Sequence, residues 1–194
     1  MGFSDNDDTD FLPQSLICQK VKELLGHSLS SKEHKIIDNG LCYGLSLLES
    51  SFQIQGRACD YYELMHAFVD PDNDTLSYER QAELAKSICF LHGLKNPSMQ
   101  RLPFELLQKY DASLKLQAIQ ALSATVTLDD SFAQKLQGLC KQTTPFSLLF
   151  TTGDHSFSIS INTEGLQLYN PYLGSQTWAD LSLESWKDLI NKIG

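Results

Sequence analysis

The apolar periodicity of this chain changes character once, near Thr143, and few folds accommodate that change. Before it, apolar residues recur at helical spacing. Leu16, Ile17, Val21, Leu24 and Leu25 form one such stripe between Pro13 and Gly26, which is expected to stop the helix. Leu41, Leu45, Leu48 and Phe52 follow at i, i+4, i+7 and i+11, predicting a helix that begins near Cys42. The stretches 60–69 and 77–92 read as helices, Pro103 opens another through Phe104, Leu107, Leu114, Leu116, Ile119 and Leu122, and Asp129 or Asp130 starts one through Phe132, Leu136 and Leu139. The serine-rich segment 27–39 reads as a loop. After Thr143 the pattern is that of strands. Pro145 leads into the run Phe146–Thr152, expected to be a buried strand, and then Phe157, Ile159 and Ile161 alternate with Ser156, Ser158 and Ser160 as in a half-buried strand. Asn162-Thr-Glu-Gly165 supplies a hairpin turn, with Gly165 suited to positive φ, and 166–170 form the return strand. Trp178 begins a linker, and Leu183, Trp186, Leu189, Ile190 and Ile193 make a closing helix. Helices first, an antiparallel meander next and a helix last predict an α+β fold, not alternating βαβ units.

At 194 residues, 42% of them hydrophobic, the chain suits one domain with a core of its own. The expected division is an acidic flexible tail over 1–12 and a single domain over 13–194, helical to about 142, β to about 178, with the closing helix at about 182–193. Lys and Arg number 15 against 24 Asp and Glu, for a net charge of −9, and no basic cluster occurs, which argues against nucleic acid and against an anionic membrane surface. No apolar run reaches the length of a membrane span, and the acidic opening residues are unlike a secretory signal. Five irregularly spaced cysteines (Cys18, Cys42, Cys59, Cys89, Cys140) predict reduced thiols in a reducing cytoplasm, not a disulfide framework. Cys89 and His92 lack a second ligand pair, and no metal or cofactor is expected. Asp70, Asp72 and Asp74 alternate like calcium ligands, but Thr75 and Gln81 occupy the positions where such a loop needs Gly and Glu, so the segment reads as a plain acidic turn.

Three segments carry chemistry. In Asp38-Asn-Gly-Leu-Cys-Tyr-Gly44, Cys42 stands in the first turn of a helix, where the partial positive charge of the N-terminus stabilises a thiolate. Gly40 permits a tight entry, and Gly44 is expected to leave the surface beside the sulfur open. His155 opens the alternating strand, and a neutral imidazole there can take the thiol proton and return it. Asn170 ends the strand that hairpins back, which brings it beside His155. There it would accept from His Nδ1–H and leave Nε2 toward the sulfur. The oxyanion would be held by the Cys42 backbone N–H together with Asn39.

Gly40-Leu-Cys42, a strand-opening His155 after a long helical insert, and Asn170-Pro171 with Gly174 nearby resemble the papain-like (clan CA) cysteine peptidases. The nearest flavour is that of YopT-type bacterial secreted effectors, although their aspartate is Asn170 here. The resemblance implies a papain-like domain, a Cys42–His155–Asn170 triad, hydrolysis or acyl transfer on a protein substrate, and delivery into a host cell by a non-classical bacterial secretion system. Protease, deubiquitinase, deamidase and transglutaminase chemistry share that core. Gly40-Leu-Cys42-Tyr-Gly44 also fits the nucleophile elbow of triad amidotransferases and dienelactone-hydrolase-like folds, but no βαβ unit precedes it and His155 is followed by Ser156-Phe157, not by a spaced glutamate. The rival class is a non-enzymatic module that grips a protein partner through helices 60–122; Tyr61, Tyr62 and Phe68 are contact candidates there, but core packing is their expected role.

Overall fold

The computed structural model describes residues 12–70, 72, 75–93, 129–140, 145–152, 155–162 and 165–193. Among these, five helices come first: α1 (Gln14–Leu25), α2 (Ser31–Asp38), α3 (Cys42–Gln53), α4 (Ala58–Val69) and α5 (Tyr78–Gly93). Helix α6 (Asp130–Cys140) then leads to strands β1 (Phe146–Thr152), β2 (His155–Asn162), β3 (Gly165–Asn170) and β4 (Gly174–Trp178), and α7 (Leu183–Ile193) closes the chain. The strands form one antiparallel sheet in the order β1-β2-β3-β4. The fold is α+β, with helices, a meander and a final helix as the periodicity requires. The acidic tail and the helix expected from Pro103 lie outside the described residues, apart from Leu12.

Three local expectations are corrected. The segment 27–39 is not a loop throughout: after a short 3₁₀ turn it contains α2, started by a capping box. Ser30 Oγ accepts from the Glu33 backbone N–H at 3.3 Å, while a Glu33 carboxylate oxygen accepts from the Ser30 N–H at 2.7 Å. That reciprocal pair satisfies two otherwise orphaned donors and starts a helix despite the polar composition. Residues 174–178 are a fourth strand that was not singled out within the β part, and Trp178, expected to begin a linker, ends it; Gly174 begins it with φ of +85°. Gly165 does adopt positive φ, at +129°.

The third correction concerns which strand is buried. Strand β1, at the edge of the described sheet, is only half-buried, because among the described residues no strand pairs with its outer side. Strand β2 is buried on both faces. Its apolar face, Phe157, Ile159 and Ile161, joins Leu166 and Leu168 of β3 in a core with Ala133 and Leu136 of α6 and Trp186, Leu189 and Ile190 of α7. Its serine face lies under α3, with Ser156 and Ser158 0% exposed. The serines are tolerated there because their hydroxyls are paired. Ser158 Oγ donates to Glu49 Oε2 at 2.8 Å, and Ser160 Oγ lies 2.8 Å from Ser147 Oγ, which donates to Ser50 Oγ at 2.9 Å. A second core fills the helical layer, where Ile17 and Val21 of α1, Leu45 and Leu48 of α3, Phe68 of α4 and Ile88 and Leu91 of α5 are buried together. Helix α3 therefore runs between the other N-terminal helices and the sheet, buried along its whole length. Tyr61 and Phe68 belong to this core, at 2% and 0% exposure, and Tyr62 packs against it. They are not a presented recognition surface.

Candidate active site

Cys42 is the first residue of α3. The chain enters that helix from α2 through Gly40, whose φ of +98° is a conformation that residues with a Cβ rarely adopt. Its N-cap, Leu41, has no side-chain acceptor to offer the helix start, and no acidic residue stands in the first turn. The positive end of the peptide dipoles is thus left without a neighbouring carboxylate on this helix. Cys42 is 0% exposed.

The position of His155 relative to Cys42 follows from how α3 is stitched to β2. Ser46 Oγ, one turn beyond Cys42, donates to the carbonyl of Ser156 at 3.2 Å, and Glu49, three residues further along, reaches Ser158. Helix and strand therefore advance in the same direction. Stepping back one turn from Ser46 leads to Cys42, and stepping back one residue from Ser156 leads to His155. The nucleophile candidate and the imidazole candidate lie at the same end of this helix–strand pair.

Asn170 joins them from β3. His155 Nε2 is 3.1 Å from Asn170 Oδ1, across the hairpin that the alternating pattern predicts. The same oxygen accepts from the Tyr172 backbone N–H at 2.9 Å. A backbone N–H can only donate, so the Asn170 atom between them is the carbonyl oxygen, and His155 Nε2 must carry the proton it shares. Nδ1, which is buried, then holds the lone pair. This reverses the expected tautomer: Asn170 engages Nε2, and Nδ1 is the nitrogen left to act as base. The reason is reach. A histidine at the strand start meets a residue on the neighbouring strand with the far side of its ring, while Nδ1 stays closer to the backbone.

Two other expectations change. Gly44 does not open space beside the sulfur. A Cβ there would lie 2.5 Å from the carbonyl oxygen of Ile88 and 2.9 Å from the backbone nitrogen of His92, so Gly44 lets α3 and α5 approach closely. Asn39 is the exposed C-cap of α2 and lines a groove of about 580 Å³ next to the site, together with Gln14, Cys18, Asp38, Gly40 and Tyr172. Gln14 is the residue that sequence reasoning missed. It is 5% exposed, and its Nε2 would be 2.5 Å from a Cβ on Gly40, two residues before Cys42. Its Oε1 is buried without a hydrogen-bond partner. Its Nε2 can donate, and its closeness to Gly40 makes it a second donor candidate beside Asn39 for an oxyanion formed near Cys42. A single glutamine at a helix start carries no sequence signal that would have singled it out.

The other thiols differ in setting. None of Cys18, Cys42, Cys59 and Cys89 is in a disulfide. Burial pushes the Cys89 thiol up to about 11 and raises that of Cys18, the latter against an opposing hydrogen bond from the Leu41 backbone. Both are therefore held as inert thiols at neutral pH. Behind Cys42, Glu49 is 1% exposed and its carboxyl is pushed up to about 7 by burial, opposed by hydrogen bonds from Ser158 and Gln53. Tyr169 and Tyr61 complete this buried polar layer, with hydroxyl oxygens 2.6 Å apart. Among the described residues no group of three or more His, Cys, Asp or Glu side chains could hold a metal ion, and no helix is long and apolar enough to cross a membrane. No protein family, no curated protein and no solved structure matches this chain, so the arrangement of Cys42, His155 and Asn170 is judged on its own geometry.

Proposed function

We propose that this protein is a thiol acyl-transfer enzyme, papain-like in mechanism, that acts on a protein substrate through Cys42, His155 and Asn170. The observation that carries the reading is the His155 Nε2–Asn170 Oδ1 hydrogen bond of 3.1 Å at the end of β2 that underlies the N-terminus of α3. That bond orients the ring and sets the tautomer in which Nδ1 can remove the thiol proton. The Cys42 sulfur attacks a carbonyl carbon, the carbonyl electrons move onto oxygen, and the Cys42 N–H and Gln14 stabilise the oxyanion. Collapse expels the leaving group, which takes the proton from His155, and a thioester remains. Water as acceptor gives a protease, deubiquitinase or deamidase, and an amine gives a transglutaminase. The groove of about 580 Å³ between α1 and the α2–α3 connection, which reaches Gly40 two residues before Cys42, is where the acyl donor's chain would lie. Cysteines outside disulfides suit a reducing cytoplasm, and a bacterial effector entering a host cell is the setting that the sequence resemblance suggests.

The test uses p-nitrophenyl acetate as a small acyl donor, with tryptic mass spectrometry of the quenched reaction. The expected result is an acetyl group on Cys42 that forms and is then lost through turnover. The exposed Cys59 is acetylated at most once per molecule and does not turn over. Acetylation of Cys42 that is no faster in the wild-type protein than in His155→Ala would overturn the reading.

A further inference from the structure

We infer that Tyr172 is a gate: its ring closes the approach to Cys42, and an acyl donor reacts only when the ring has swung aside. The inference rests on the proposed role of Cys42 for its purpose, but the closure is a property of the geometry. The Tyr172 ring packs on His155 with centroids 4.6 Å apart and planes at 31°. Its hydroxyl reaches the other side of the site, 3.3 Å from the point where Gly40 would carry a Cβ. His155 and Gly40 flank Cys42 along the sheet and along the chain, so a side chain that touches both lies across the approach to the sulfur. Cys42 is 0% exposed, while Tyr172 is 52% exposed. The cover is therefore itself only partly held.

How it moves is also determined. The Tyr172 backbone is anchored by its N–H to Asn170 Oδ1 at 2.9 Å, and the Leu173 N–H donates to the Asn170 carbonyl at 3.0 Å. Pro171 fixes φ between the two. The turn stays in place and the ring swings by side-chain rotation. Pro171 and Tyr172 also line the groove, so a chain seated there touches the gate directly. Binding energy gained along the groove then favours the open state, so a donor long enough to occupy the groove reacts faster than a small one that depends on spontaneous opening.

The experiment compares iodoacetamide labelling of Cys42 with that of exposed Cys59 in the same tube, in wild-type protein and in Tyr172→Ala, Tyr172→Leu and Tyr172→Phe. A gate whose open state is populated at roughly 0.1–10% slows labelling by that fraction. Tyr172→Ala is therefore expected to raise the Cys42 to Cys59 ratio at least about tenfold. Leucine is too short to reach Gly40 and raises the ratio in the same direction, which decides the matter if the alanine variant does not fold. Tyr172→Phe keeps the ring and stays within about twofold of wild type. Folded Ala or Leu variants with an unchanged ratio would overturn the gate, whatever the acetylation experiment gives. A raised ratio with no turnover of p-nitrophenyl acetate in wild type or in Tyr172→Ala would support the gate and count against the enzyme.

Discussion

Cys42→Ala is expected to abolish turnover while leaving the protein folded. The Cys42 sulfur is the group assigned to form the thioester, and the Cys18 thiol of the neighbouring groove is held inert by burial. Alanine is the best helix former and suits the first turn of α3, and the small volume lost sets a stability cost on the order of 1 kcal/mol. His155→Ala should fall to the same residual activity, because a thiol without its base is as ineffective as no thiol. The double variant should be no worse than either single one, since the two side chains act as a unit. Asn170→Ala should be milder, because His155 still samples the productive tautomer part of the time. Its loss also releases the Tyr172 N–H, so the turn that carries the gate loosens as well. Turnover of p-nitrophenyl acetate with thermal melting checks the ranking: Cys42 equal to His155, both worse than Asn170, at nearly constant melting temperature. If Cys42→Ala keeps the protein's biological effect while surface changes on the helices abolish it, the protein is a binding module.

The sequence made the frame of this site legible because each part has a local signal. A glycine two residues before a helix-start cysteine, a histidine opening a period-two strand, and a hairpin that returns to Asn-Pro are all short-range features. The change of periodicity at Thr143 was enough to separate the helical part from the sheet. What could not be read depends on contacts between distant segments. The serines of β2 looked solvent-facing because alternation reports polarity, and only the α3 residues Glu49 and Ser50 make a buried serine face stable. Gly44 looked like room for a substrate because its neighbour, the backbone of α5, is more than forty positions away in the chain. Gln14 acquires meaning only through Gly40, and the ring nitrogen that meets Asn170 is set by strand geometry. Helix α2 is different: Ser30 and Glu33 form a local capping signature that could have been read, and the polar composition around it concealed the helix.

Glu49→Gln should stabilise the protein at alkaline pH. Burial raises the Glu49 carboxyl from 4.5 to about 7, so the folded state holds a proton that the unfolded chain releases. The stability associated with that proton is fully present below pH 4.5 and is lost progressively as the pH rises to about 7, beyond which a buried carboxylate remains. Its Oε1 has no hydrogen-bond partner to offset that charge. Glutamine keeps an oxygen for Ser158 and carries no charge. Above pH 7 the variant is expected to gain up to about 3 kcal/mol over wild type, and near pH 4.5 close to nothing. For a chain of this length that corresponds to a melting temperature higher by up to roughly 6–12 °C at pH 8. Thermal melts of both proteins at pH 5 and pH 8 test this. A variant that melts lower than wild type by the same margin at both values would show that Glu49 is stabilising in its charged form.

The central claim, that Cys42 and His155 form one chemical unit with Asn170 behind the imidazole, is tested most directly by the ring nitrogens of His155. In protein labelled with ¹⁵N-histidine, long-range proton–nitrogen correlation spectra distinguish Nδ1 from Nε2 and show which is protonated. The account predicts an Nε2-protonated ring at neutral pH in Cys42→Ala, with the Nδ1 resonance of wild type displaced from that position by the neighbouring sulfur. Asn170→Ala should instead perturb Nε2. An Nδ1 resonance that is identical in wild type and Cys42→Ala would mean that the sulfur does not face the imidazole, and the assignment of this site would fail.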